Sequence, residues 1–252
     1  DGIWIEGLRA NILYNRISNV GTDASVTGDC IQLNGETAST SAGEFRVIGN
    51  YLDHSTRLEK QCFIVSGAAS GSGGLVAYNT AIYPQDTAGS SGNACFYSDQ
   101  PGCSFIGNVT RGGTYGILLA TGAGQVVRSN LIVGAYIGLI TSGSPTGMLV
   151  DGNTFAVCLN SGAYLASADA TSYVRNNVFY QCVRGLATHG NINKSKNAYY
   201  GNTVYAWSSI AGGGSIDADA VTSDPILSSG YRPMIGSPLL AAGTHLGYGY
   251  KY

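Results

Sequence analysis

The ionisable side chains of this chain are few and unevenly placed. Asp23, Asp29, Glu36, Glu44, Arg46, Asp53, His54, Arg57, Glu59 and Lys60 fall within 38 consecutive positions, whereas Arg128 is the only charged residue between Gly112 and Val150. Two chemistries suit the dense stretch. Two carboxyl groups about 5 Å apart, or about 6.5–9.5 Å apart, can cleave a glycosidic bond with retention or inversion. Asp23, Asp53, Glu59 and Asp86 lie at turns one or two repeats apart and supply such pairs. A base next to a cation can instead abstract a proton and hold the resulting enolate, and His54, Arg57 and Lys60 could serve. The candidate catalytic residues are therefore Asp53, Glu59, Asp23, His54 and Arg57. Asp29, Glu36, Lys60, Asp86 and Trp4 are candidate binding residues, and no metal cluster or cofactor is implied. The competing reading is that these are solvated turn charges. The 17 Tyr and two Trp offer stacking surfaces for sugars, although β-propensity alone accounts for most of them.

These side chains are positioned by a repeat. Ile12-Leu13-Tyr14-Asn15, Val47-Ile48-Gly49-Asn50, Val76-Ala77-Tyr78-Asn79 and Phe105-Ile106-Gly107-Asn108 share one form, as do the phrases ending at Asn130, Asn153 and Asn177, with a weaker copy at Asn197. The steps between the asparagines are 35, 29, 29, 22, 23, 24 and 20 residues, the period of a stacked array. Short Gly-bounded apolar runs travel with them, such as Gly2–Gly7, Cys30–Gly35, Cys62–Gly67 and Gly138–Gly143. Each is too short for a helix and rich in β-formers. Two or three such strands per repeat specify one coil of a solenoid. The expected fold is all-β: a right-handed parallel β-helix of about eight to nine coils over residues 1–202. Asn is expected at its turns because it tolerates left-handed backbone and its amides can stack.

Strand alternation sends Ile3, Ile31, Phe63, Ile117 and Leu139 inward. The expected outward column is Trp4, Gln32, Ile64, Phe96, Leu118, Ile140, Leu165 and Ala187. It is mostly apolar, so a cover is expected: loops, a returning C-terminal segment or sister chains. From Thr203 the repeat fades. Residues 203–252, with Asp224-Pro225 and Gly236-Ser237-Pro238, read as a cap closing the solenoid's open end.

The Asn phrases, the Gly-bounded strands and Gly28-Asp29-Cys30-Ile31-Gln32-Leu33 resemble the pectate-lyase-like β-helix superfamily, most of all the bodies of phage tailspikes and polysaccharide depolymerases. The resemblance implies a polysaccharide partner, glycan cleavage by hydrolysis or lysis, an extracellular or virion setting and a homotrimer. The alternatives are a non-catalytic glycan-binding or structural β-helix, and a secreted lyase or epimerase. The Arg-x-Pro-x-x-Arg signature of pectate lyases is absent.

A net charge of −2 leaves no basic footprint for nucleic acid. No apolar run is long enough to insert in a membrane. The start at Asp1, without Met and within a strand, reads as a fragment or processed chain. Of six cysteines, Cys30 and Cys62 fall at equivalent places in adjacent coils, as do Cys158 and Cys182, while Cys95 and Cys103 flank one turn. The expectation is free thiols acting as small buried side chains.

Overall fold

The computed structural model describes residues 2–6, 9–18, 20, 28–34, 45–55, 61–66, 73–89, 92–120, 123–143, 146–166, 169–189, 191–208 and 215–242. Three parallel sheets run the length of the molecule, and the chain visits each in turn. The first has nine strands, from Ile3–Glu6 and Ile31–Asn34 to Arg184–Thr188 and Val204–Ser208. The second has eight, from Ala10–Leu13 to Asn193–Ser195, and the third eight, from Arg16–Ser18 to Ala198–Tyr200. Every sheet pairing is in parallel register with the equivalent strand of the next coil, for example Ile31 beside Phe63 and Val127 beside Val150. The chain is thus a parallel β-helix, as its repeat predicts.

Why the repeat ends in Asn is explicit in the hydrogen bonds. The backbone N–H and Nδ2 of Asn79 both donate to Asn108 Oδ1, each at 3.0 Å. Asn79 Nδ2 also donates to the Val47 carbonyl at 2.8 Å. The same pattern repeats from Asn50 to Asn177. Each buried amide therefore satisfies a buried backbone N–H and a buried carbonyl that no sheet reaches. The left-handed backbone lies one residue earlier than expected. Tyr14, Gly49, Tyr78, Gly107, Ser129, Gly152, Asn176 and Lys196 carry the positive φ, between 52° and 69°. The ladder position selects Asn for its amide, not for its backbone freedom.

The interior is apolar and stacked. Phe155 lies on Phe179 at 5.2 Å between ring centroids, and Phe179 on Tyr199 at 5.1 Å. Glycines in the first sheet make room for these rings. A Cβ on Gly138 would lie 2.7 Å from the Phe155 ring and 2.3 Å from the Gly162 carbonyl, and one on Gly162 would lie 2.6 Å from Phe179. All six cysteines are free and at most 2% exposed. Cys30, Cys62 and Cys95 occupy one column: the Cys30 N–H bonds the coil of Gln61, and the Cys62 N–H bonds Ala94. Burial, with Cys30 and Cys95 alongside, pushes the Cys62 thiol well up.

The solenoid continues past residue 202. Val204–Ser208 is the ninth strand of the first sheet, and Asp217 takes the next place on the Asn ladder. Val221 pairs with Ala198. Beyond that, Tyr231 packs edge-on against Tyr180 of the third sheet, Leu227 pairs with Pro233, and Leu239–Ala242 forms one helical turn. No helix among the described residues is long and apolar enough to cross a membrane.

Candidate functional site

The dense ionisable stretch does not assemble into one site among the described residues. Glu59, Asp23, Arg57, Glu36 and Lys60 lie outside them. His54 turns into the interior, 4% exposed, with Nε2 3.1 Å from the Gly28 carbonyl and its ring stacked on Tyr83. Asp29 is buried and accepts the Gln61 N–H at 2.8 Å. Asp86 is buried and accepts the N–H groups of Ala88 and Gly89 and the Thr114 hydroxyl. These three polar groups satisfy backbone and turn partners within the fold. Asp53 remains accessible on the outer side of the third sheet, beside Ser18. Ser55 hydrogen bonds hold its carboxyl below the usual carboxylate range. A carboxyl in that state is ionised at neutral pH, which suits a base or nucleophile and not a proton donor.

The more continuous feature is the outer face of the nine-stranded sheet. Its central column runs Trp4, Gln32, Ile64, Tyr97, Leu118, Ile140, Tyr164 and Ala187, each in register with the next. Two members differ from the sequence expectation. Phe96 and Leu165 point inward and are fully buried, Phe96 paired with Phe63 and Ile117 and Leu165 with Thr141 and Thr188. Because side chains alternate along a strand, an offset of one residue exchanges the faces, so Tyr97 and Tyr164 take the outward places. Trp4 is 54% exposed, and Gln32 through Tyr164 are half-buried. The described part of the C-terminal segment meets the third sheet, Tyr231 at Tyr180 and Val221 at Ala198, and Ala187 at the upper end of the column is buried.

A second column flanks the first and is more polar: Asn34, Ser66, Asp99, Ala120, Ser142, Ala166 and His189. Asn34 Oδ1 accepts from Gln32 Nε2 at 3.2 Å and from the Ser66 hydroxyl at 2.9 Å. The Tyr164 hydroxyl and His189 Nε2 are hydrogen-bonded across two coils, with the rings edge to face. Burial, and secondarily Asp99, pushes the Tyr97 hydroxyl up, so it remains a neutral donor. On the opposite flank Asn160 donates to the Tyr136 hydroxyl and accepts from Arg184 Nη1 at 3.1 Å. The result is a straight, rigid strip. Aromatic rings stand on its first, fourth and seventh rungs, about 14 Å apart at the spacing of paired strands, with amide and hydroxyl groups alongside. Tyr97 and Tyr164 lie in plain strands without charge, and their only sequence signal is strand parity.

Sheet topology, the Asn ladder and the stacked core define the class: a right-handed parallel β-helix. Residues 13–213 match the family model described as periplasmic copper-binding protein (NosD), and the chain belongs to that family. No curated protein and no solved structure matches it.

The family description names copper, and the donors among the described residues do not fit it. Copper favours thiolate, thioether and imidazole ligands. The sequence has six Cys, two Met and three His. All six thiols and Met148 are walled into the core, and Met234 stands alone on the C-terminal segment at 49% exposure. His54 and His189 are hydrogen-bonded on different elements, and His245 lies outside the described residues. No three His, Cys, Asp or Glu residues converge among the described residues.

Proposed function

We propose that this protein is a glycan-binding β-helix of the cell envelope, in which an extended polysaccharide lies along the outer face of the nine-stranded sheet. One observation carries the reading: the in-register column from Trp4 to Tyr164, open to solvent, with rings at Trp4, Tyr97 and Tyr164. Aromatic faces match the apolar faces of pyranose rings, and half-buried Tyr hydroxyls supply polar handles. The flanking Asn34, Ser66, Ser142 and His189 suit sugar hydroxyls. A site preformed on a rigid stack loses little entropy on binding. Membership of a family described as periplasmic supports a secreted, envelope-facing setting rather than a virion part.

Binding is favoured over cleavage on geometric grounds. Among the described carboxylates, Asp53 is on the third sheet and Asp29 and Asp86 hold turns, which leaves Asp99 beside the strip without a second carboxylate from that set. The experiment is incubation with a panel of capsular, O-antigen and exopolysaccharides, following retention in glycan-containing gels, product size and the ultraviolet absorbance of unsaturated uronate. Retention without shortening is the expected result. Shortening without absorbance would make the protein a hydrolase, and shortening with absorbance a lyase. No retention on any polymer would remove the glycan reading.

A further inference from the structure

The edge where the second sheet turns into the third carries a separate regularity. The residue just before each ladder Asn stands at this edge, and Tyr14 and Tyr78 are 79% and 68% exposed there. Their rings lie over the glycine of the next coil: a Cβ on Gly49 would be 2.5 Å from the Tyr14 ring, and one on Gly107 2.7 Å from the Tyr78 ring. Over the first four coils a large ring therefore alternates with glycine, as Tyr14, Gly49, Tyr78 and Gly107. Two coils higher, the last outward position of the second sheet takes up the same period. Arg128, Asp151 and Arg175 stack in register. Asp151 is 1% exposed and faces Arg128 Nε at 3.4 Å and Arg175 Nε at 3.6 Å. The two arginine side chains are partly open, at 30% and 27%. No described residue takes up their Nη groups. Tyr14, Tyr78, Arg128 and Arg175 thus occupy the first, third, fifth and seventh coils, about 9.6 Å apart along the stack.

We propose that this edge is a second binding track, for an extended polyuronate, of which every second sugar presents its carboxylate to the edge. Sugar rings rest on Tyr14 and Tyr78, and uronate carboxylates meet the outward Nη edges of Arg128 and Arg175. The shared Asp151, itself held by Asn176 Nδ2 at 2.8 Å, pairs with both arginines on their Nε side, which leaves the Nη edges for bidentate carboxylate recognition. Two cations against one buried anion leave the upper half of the track positive. The proposal rests on the glycan reading for the class of polymer, but it uses none of the residues of the nine-stranded face.

The test is affinity electrophoresis of the full chain in gels containing polygalacturonate, dextran sulfate or uncharged dextran. Two variants address the track. Arg128→Gln/Asp151→Asn/Arg175→Gln removes both cations together with the anion they enclose, so no buried charge is orphaned. Tyr14→Ser/Tyr78→Ser removes the rings alone. Each is expected to weaken polygalacturonate binding about tenfold or more, with melting unchanged, and Ile235→Ser, fully exposed on the C-terminal segment, is expected to leave that binding in place. Native-like polygalacturonate binding by both edge variants would overturn the track, and loss in Tyr97→Ala alone would at the same time uphold the nine-stranded face. Dextran sulfate held as tightly as polygalacturonate through the same arginines would overturn the uronate assignment. No retention of the unaltered chain in the polygalacturonate gel would overturn the track, and the nine-stranded face is judged separately on the wider polysaccharide panel.

Discussion

Asn197 donates its backbone N–H and its Nδ2 to a single carboxylate oxygen of Asp217, at 2.7 and 3.2 Å, where every lower rung donates to an asparagine amide. The other Asp217 oxygen accepts the Tyr199 hydroxyl at 3.0 Å. An asparagine at the last rung would carry an Nδ2 group with no further rung to receive it. A carboxylate accepts from below and has nothing left to donate, so it ends the ladder without an orphaned donor. The Tyr199 hydroxyl is pushed well up, by burial first and by Asp217 second.

Removal of this terminus is expected to open the upper end of the solenoid. Asp217→Ala strands the Asn197 N–H and the Tyr199 hydroxyl and leaves the Asn197 amide only its bond to the Val174 carbonyl, at about 1–3 kcal/mol for each buried group left unsatisfied. Asp217→Asn keeps an acceptor for Asn197 and is expected to cost less than half as much. Denaturant unfolding of both variants checks the order.

A rung in the middle should cost more. Asn79→Ala removes the acceptor of the Asn50 N–H and the donor to the Val47 carbonyl, both buried. The expected loss is about 3 kcal/mol or more, measured by the same unfolding experiment.

Two glycines separate steric from backbone cost. Gly138→Ala places a Cβ against the Phe155 ring and the Gly162 carbonyl and is expected to destabilise by about 3 kcal/mol, as overpacking does. Gly124 has φ +67° and open space around its Cβ position. Gly124→Ala should lose only about 1–2 kcal/mol, the cost of left-handed backbone. Equal losses would contradict the packing account.

The thiols make stability depend on alkaline pH. Burial, with stacked neighbours, raises Cys62, hydrogen bonding to Cys182 and burial raise Cys158, and burial raises Cys103. A raised folded pKa means that the unfolded chain releases its proton first. Above about pH 8.5, the ordinary thiol value, the unfolded state therefore binds fewer protons than the native one, and stability falls as pH rises. Below that value these groups contribute fully and do not vary with pH. Calorimetry between neutral and alkaline pH checks the sign. Native thiols should also resist a thiol-reactive dye until the chain unfolds.

Copper gives an independent check on the donor count. Titration with Cu(I) against a chromogenic chelator, and with Cu(II) by calorimetry, is expected to show no tight stoichiometric site. Tight binding would place a site on residues outside those described.

Much of this architecture is legible in the sequence because the repeat uses side chains with one geometric role. The eight asparagines from Asn15 to Asn197 are the ladder, and Cys30 and Cys62 do stack. Asp217 escapes the pattern because a terminal rung needs a carboxylate, not an amide, and it follows a glycine-rich run that hides the spacing. The outward column is misread at Phe96 and Leu165 because aromatic and aliphatic residues occupy both faces, so composition does not fix parity and only pairing does. The charge cluster of residues 23–60 looks like a site in one dimension. In the fold, Asp29 and His54 turn inward to satisfy backbone groups, while the strip that faces solvent is built from Tyr97, Leu118, Ile140 and Tyr164, none of which is charged.

The most direct measurement is glycan binding by Tyr97→Ala, alone and combined with Trp4→Ala, on whichever polymer of the panel the unaltered chain retains. The account predicts a loss of about tenfold or more for the single variant and a larger loss for the pair, since stacking on one ring is worth about 1–3 kcal/mol, with the melting temperature unchanged. Undiminished binding by a folded double variant would contradict a binding site on the nine-stranded face.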